Sequence, residues 1–275
     1  MTVPLIGVAL GLLYSPMAAA LSLVTEILIT KALIPTVYPW ISYNPLTMKV
    51  ITASIVAPVV EEGFKAAGFL VIPTVLAAIL RWFSGVSIVG KPLATAAEYI
   101  DLCRKDVLGA VCTAGATALG FSMIENALYT LAAFKMGGPL ASLLVGAFRT
   151  VISTPMHIVS TVSFALMYTY VARARWWGIP LGYTVAALIH GAFNYTVLSV
   201  SYHAQKPTTR PVVVRPTPAP QPHPTAPTPT PHPAPTAPAP PPAPAGTQQQ
   251  GGEEVVRVIV RVGGYLAKAL VPFSG

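Results

Sequence analysis

Charge is what this sequence lacks. Only 9% of its 275 residues are Asp, Glu, Lys or Arg, against about 25% in an ordinary soluble domain, and 53% are hydrophobic. That shortage excludes a conventional water-soluble enzyme. It is sharpest in three stretches: residues 2–25 carry no charge, and 150–172 and 176–202 carry none apart from His157 and His190. Cysteine is scarce too. Cys103 and Cys112 are the two present, without the CxxC spacing of a zinc ribbon or the number that a disulfide framework needs, so they read as small apolar fillers. No basic stripe interleaved with aromatics occurs, which argues against a nucleic-acid partner. The formal charge of +8 is shared between 1–200 and 201–275, a modest excess suited to an anionic lipid surface.

What is present in abundance is apolar sequence in membrane-length runs. About 20 such residues cross the hydrocarbon core as a helix, and the runs predict an all-α, polytopic transmembrane bundle of about five spans: 4–30, 46–80, 107–134, 140–172 and 178–202. Aromatic residues mark the expected interfaces, with Tyr38, Trp40 and Tyr43 after the first span, Trp82 and Phe83 after the second, and Trp176 and Trp177 before the fifth. Ala18–Ala20 resembles a signal-peptidase site, but no basic region precedes it and the apolar run continues past it. Lysines and arginines divide evenly between the two sets of loops, so the charge rule for orientation is silent.

The transmembrane part is expected over 1–205. A Pro/Thr/Ala-rich linker follows over 206–252, where 17 of the 29 prolines fall within 207–246; proline sustains neither helix nor sheet, so this is a disordered, semi-rigid stalk. Its composition suits an external stalk and places the C-terminus outside the cytoplasm. Residues 253–275 read as a short amphipathic segment, helix or strand, with Glu253, Arg257 and Arg261 among Val and Ile.

The scarce polar residues fall where they are most costly. The second span holds Glu61, Glu62 and Lys65, the third Glu125 and Asn126, the fourth Arg149 and His157, the fifth His190 and Asn194. An ionisable group at mid-bilayer needs a partner or a purpose. Glu61, Glu62, His157 and His190 lie near the midpoints of their spans; Glu125 is displaced by about one helical turn. Glu61 precedes Lys65 by four residues, the favourable order for an ion pair, and Glu62 points about 100° away, so one carboxylate is held and the other left free. Arg149, Ser153, His157, Ser160 and Thr161 share one helix face, with Pro155 loosening the helix beside His157. Tyr183, Ala187, His190 and Asn194 share another.

Two chemistries suit such a set. Two histidines and one or two carboxylates can hold a divalent metal with an open position for water while a remaining glutamate acts as base; the donors read for this are Glu125, His157 and His190, and zinc is the first choice. Alternatively, a glutamate alone activates water and His and Asn donate hydrogen bonds to the developing oxyanion. Either describes hydrolysis of a carbonyl compound inside the membrane, most naturally a peptide bond.

These residues also carry a resemblance. EEGFK (61–65), GFSMIEN (120–126), an arginine eight residues before a histidine (149 and 157) and HGAFN (190–194) resemble the four-motif pattern of the PrsW family of intramembrane proteases, in the group that contains the CAAX prenyl endopeptidases and bacteriocin-processing enzymes. The resemblance implies catalytic roles for Glu61, Glu62, Glu125, His157, His190 and Asn194, with Lys65, Arg149 and Asn126 supporting them. Glu125 stands where the prenyl proteases would have histidine, which points away from a prenylated substrate. The implied partners are a membrane-anchored protein substrate and the bilayer of the cell membrane. Two rival readings use the same polar layer: a proton- or ion-coupled transporter, which predicts inverted repeats not found here, and a non-catalytic membrane scaffold.

Overall fold

In hydrocarbon a backbone must satisfy its own N–H and C=O groups, and helices do this within one segment. The computed structural model describes residues 2–85 and 89–205, and every regular element among them is a helix. The stalk of 206–252 and the segment 253–275 lie outside the described residues. Helix α1 (Thr2–Leu28) runs through a π turn at Ile29–Leu33 into α2 (Ile34–Val37), and a short α3 (Pro39–Ser42) leads to α4 (Pro45–Ile51). A second π turn, Thr52–Val56, joins α4 to α5 (Ala57–Ser84). Then come α6 (Gly90–Leu102), α7 (Val107–Phe148), a π turn at Arg149–Ser153, α8 (Thr154–Leu166), a π turn at Met167–Val171, and α9 (Gly178–Gln205).

Local chemistry sets the breaks. Asn44 caps α4, its side chain accepting from the amides of Leu46 and Thr47 at 3.0 and 3.1 Å, with Pro45 in the first turn, where its missing N–H costs nothing. Asp106 caps α7 through the Gly109 amide at 2.8 Å. Inside α7, Gly138 has φ +74° and is followed by Pro139. That left-handed conformation is open to glycine with little strain, and there the chain doubles back. Ser142 Oγ donates to the Thr130 carbonyl at 3.2 Å, and Asn126 reaches Thr154 across 28 positions of sequence.

Three stretches among the described residues are long and apolar enough to cross a membrane: Thr2–Val37, Pro45–Ser84 and Val107–Val171. The third contains the reversal at Gly138 and so covers both 107–134 and 140–172. Helix α9 matches the 178–202 reading in position but falls short of the others in apolarity. Ala18 and Ala19 lie mid-helix, packed with Tyr14 against Phe121 of α7.

Packing uses small residues, as helices that gain no hydrophobic drive from lipid must. A Cβ at Gly11 of α1 would stand 2.5 Å from the Thr113 carbonyl oxygen, and one at Gly191 of α9 would stand 2.6 Å from that of Ser54. The second contact seats α9 on the π turn before α5 and fixes the height of His190 against Glu61. Below this level Phe69, Phe164, Tyr168 and Ala186 form an apolar cluster, with Phe69 edge-on to Phe164 at 5.6 Å.

Helix α6 was not foreseen; residues 81–106 read as a connection between spans. It buries Ala97, Ile100 and Asp101 on one side. Asp101 gathers three cations, Arg81 at 3.3 Å, Arg104 at 2.8 Å and Lys105 at 2.5 Å. Burial works to raise this carboxyl, but the Lys105 hydrogen bond and the Arg104 and Lys105 charges outweigh it and hold the carboxyl below the usual carboxylate range. Cys103 is buried beside it, its thiol donating to the carbonyls of Val3 and Tyr99, and burial pushes the thiol up to about 11.

Candidate functional site

The polar residues of α5, α7, α8 and α9 meet in one buried layer. Glu61, Glu62, Lys65, His157 and His190 are each 5% exposed or less. Lys65 Nζ lies 2.8 Å from Glu62 Oε1, 3.4 Å from Glu61 Oε2 and 2.9 Å from His157 Nδ1, with the Phe121 ring 4.4 Å away. The division of labour between the two glutamates is the reverse of the sequence reading. Positions three and four apart are both neighbours on a helix, so Lys65 reaches both acids and sits closer to Glu62. Glu62 is then saturated: Ser160 and Thr161 donate to its two oxygens at 2.9 Å each, and His190 Nδ1 lies 3.0 Å from Oε1. Glu61 is the carboxylate that borders open space.

That space is a cavity of about 750 Å³ bordered by Glu61, Glu125, Arg149, His157, His190 and Asn194, within the usual range for ligand sites. Three of the π turns also contribute to its wall, through Thr30, Thr52 and Ser153; such turns recur at functional positions in helices.

Glu61, His157 and His190 each offer a ligand atom within 4.8 Å of the others. Glu61 Oε2 is 3.7 Å from His157 Nδ1 and 3.8 Å from His190 Nε2, close to the ~3.5 Å ligand separation of a tetrahedral site with bonds of about 2.1 Å. The opposite nitrogen of each imidazole faces a carboxylate: His157 Nε2 lies 2.9 Å from Glu125 Oε2 and His190 Nδ1 lies 3.0 Å from Glu62. Carboxylates behind ligating histidines fix the tautomer and turn the free lone pair inward. The donor chemistry therefore fits a divalent metal, and the group that converges contains Glu61 where the sequence reading had Glu125.

Glu125 instead joins His157 to Arg149, whose Nη2 lies 2.9 Å away. The expected one-turn displacement does not separate it from His157, since the two long side chains span the offset. Arg149 stacks on Tyr129 at 3.9 Å and donates through Nε to Asn126 Oδ1 at 2.7 Å; Asn126 in turn donates to Thr154 at 2.9 Å. Asn194 borders the cavity, but its Nδ2 is committed to the Ala53 carbonyl at 2.9 Å, tying α9 to the π turn before α5. Sequence reasoning missed Glu26 and Tyr129, both on the cavity wall. Glu26 follows the uncharged run of the first span directly, and that position was the available signal.

No curated protein and no solved structure matches the chain. Residues 7–214 match the family model for PrsW family intramembrane metalloproteases. The match covers well over half of the sequence and contains all four motifs. With its apolar helices and a buried Glu/His/His group able to hold a metal, the chain belongs to the PrsW family of intramembrane metalloproteases, a family of hydrolases.

Proposed function

We propose that this protein is an endopeptidase that cuts a membrane-anchored protein within or near the bilayer, from a bundle of five crossings in which α9 is the last. The observation that carries this reading is the convergence of Glu61, His157 and His190 on one side of a cavity large enough for a peptide segment. In it, Glu61, His157 Nδ1 and His190 Nε2 would hold a divalent metal, zinc being the ion such a set suits best. The metal supplies Lewis acidity toward a carbonyl and lowers the pKa of water.

The remaining work belongs to the chain. Glu62 receives the Nδ1–H of His190 and keeps Nε2 free; Ser160, Thr161 and Lys65 hold Glu62 still. Glu125 does the same for His157 through Nε2, and Arg149 and Asn126 hold Glu125. Glu125 also borders the cavity, so it is the carboxylate suited to accept the proton of the attacking water and return it to the leaving amine. Asn194 orients α9 and is a positioning residue in this scheme.

A second reading rests on one observation: Lys65 already brings a positive charge to His157 Nδ1 at 2.9 Å. In a metal-free enzyme Glu61 would be the base and the Lys65–His157 pair would stabilise developing negative charge. Metal content of purified, detergent-solubilised protein, followed by cleavage of a single-span substrate with and without chelator, separates the two. Cleavage that chelator abolishes and zinc restores supports the first; cleavage indifferent to chelator supports the second; a folded protein that cleaves nothing leaves the scaffold reading standing.

A further inference from the structure

Glu26 is an acid that the proposed chemistry does not use. It lies on α1, in a stretch otherwise free of charge from residue 2 onward, and borders the same cavity as Glu61, Glu125, His157 and His190. Ser22, one turn earlier, donates to its Oε1 at 2.7 Å. Among the described residues no Lys or Arg forms an ion pair with it. Lys31 is five positions further on, beyond the three- and four-residue spacings that bring side chains together on a helix.

Ser22, Glu26 and Thr30 recur every four residues along α1 and the π turn that follows it, and all three border the cavity among Ala19, Leu23 and Ile27, so one file of polar groups on an otherwise apolar wall faces the site. A carboxylate in a membrane-length helix, with a single hydroxyl as its partner and an oxygen left over, is expensive unless a cationic or N–H donor arrives to meet it. Lys31 and Lys49 also border the cavity, within the π turn that follows α1 and on α4, and neither has an ion-pair partner among the described residues. They repel a basic group that would stop beside them, so its favoured resting place is further in, at Glu26.

We propose that Glu26 forms a substrate subsite for a basic side chain, a lysine or arginine carried within the substrate's membrane segment close to the bond to be cut. The inference rests on the protease reading for the identity of the ligand as a peptide, but not for the existence of a cation-selective subsite in the cavity. Glu26 thereby sets register: it holds one charged residue of the segment at a fixed distance from Glu61 and the histidines, while the surrounding apolar wall accepts the rest without selection.

The test uses full-length protein in detergent and labelled single-span Leu/Ala peptides that differ only in one central residue, Lys, Gln or Glu. Binding is read by fluorescence anisotropy, and the same samples are analysed by mass spectrometry for cleavage. Wild type is expected to bind the Lys peptide about tenfold more tightly than the Gln peptide, the scale of one charge-assisted hydrogen bond. Glu26→Gln removes that ratio, and Glu26→Lys shifts preference to the Glu peptide, with thermal unfolding of both variants matched to wild type. Equal binding of the three peptides by wild type, or a Lys preference that survives Glu26→Gln, overturns the proposal. The cleavage channel judges the protease reading separately: a Glu26-dependent preference without any product leaves the subsite standing and the endopeptidase fallen, and product without preference does the opposite.

Discussion

Two clusters in this molecule pair carboxylates with cations, and they are built to opposite ends. At the junction of α5, α6 and α7, Asp101 is enclosed by Arg81, Arg104 and Lys105. Cations outnumber the acid, and Arg81 and Lys105 are about half exposed. In the first turns of α5 the balance reverses: Glu61, Glu62 and Glu125 face Lys65 and Arg149, all but the half-buried Glu125 are buried, and a cavity opens on one side. The first cluster uses charge to fasten helices. The second brings donor atoms of Glu61, His157 and His190 within 4.8 Å of one another at the edge of the cavity, with Lys65 Nζ reaching Glu61 and His157 from the protein side, an arrangement that fastening does not require.

Substitutions sharpen this contrast, and the largest effect is expected at the histidines. His157→Ala and His190→Ala should each lose bound metal and lower peptide cleavage about 10³-fold, while helical content by circular dichroism stays at the wild-type level. Glu62→Gln comes next. It leaves Lys65 with Glu61, at the longer distance, as its one carboxylate partner and replaces the charged acceptor behind His190 with a neutral one, so the fold should lose about 3 kcal/mol in detergent unfolding and metal affinity should fall about 10–100-fold. Glu125→Gln should retain metal when zinc is saturating yet cleave about 10²-fold more slowly, measured under single-turnover conditions.

The smallest effect belongs to the other cluster. Asp101→Asn should cost about 1 kcal/mol of stability with metal content and cleavage unchanged. The Asp101 carboxyl is depressed in the folded state, so its stabilisation is complete above the unfolded carboxyl's value and is lost as pH falls through the folded one. Unfolding midpoints of wild type and Asp101→Asn should therefore differ at pH 7 and converge in acid. A variant at Asp101 that abolished cleavage would break the distinction between the two clusters.

Much of the site was legible because membrane helices make polar residues conspicuous. His157, His190 and the Glu61–Glu62 pair stand out in runs where few other residues ionise, and their similar depth foretold that they meet. What failed was finer. The i,i+4 rule assigned Lys65 to Glu61, yet Lys65 also reaches Glu62 three residues away, and the hydroxyls that complete the Glu62 shell come from α8, 98 and 99 positions later. Metal donors could not be ranked because Glu61 and Glu125 are alike in type; only the Arg149 contact separates them. Asn194 borders the cavity as its motif suggested, and its Nδ2 also donates to the Ala53 carbonyl, a contact that only the fold reveals. Helix α6 escaped because its 13 residues are too short a run to read as a span and its anchor, Asp101, is polar.

The central claim is that Glu61, His157 and His190 form a metal site, and metal analysis of the intact, detergent-purified chain tests it most directly. About one zinc per chain is expected, lost in both His157→Ala and His190→Ala and kept in Asp101→Asn, with all proteins folded. A folded wild type without metal after exposure to zinc, or histidine variants that keep as much metal as wild type, would contradict it.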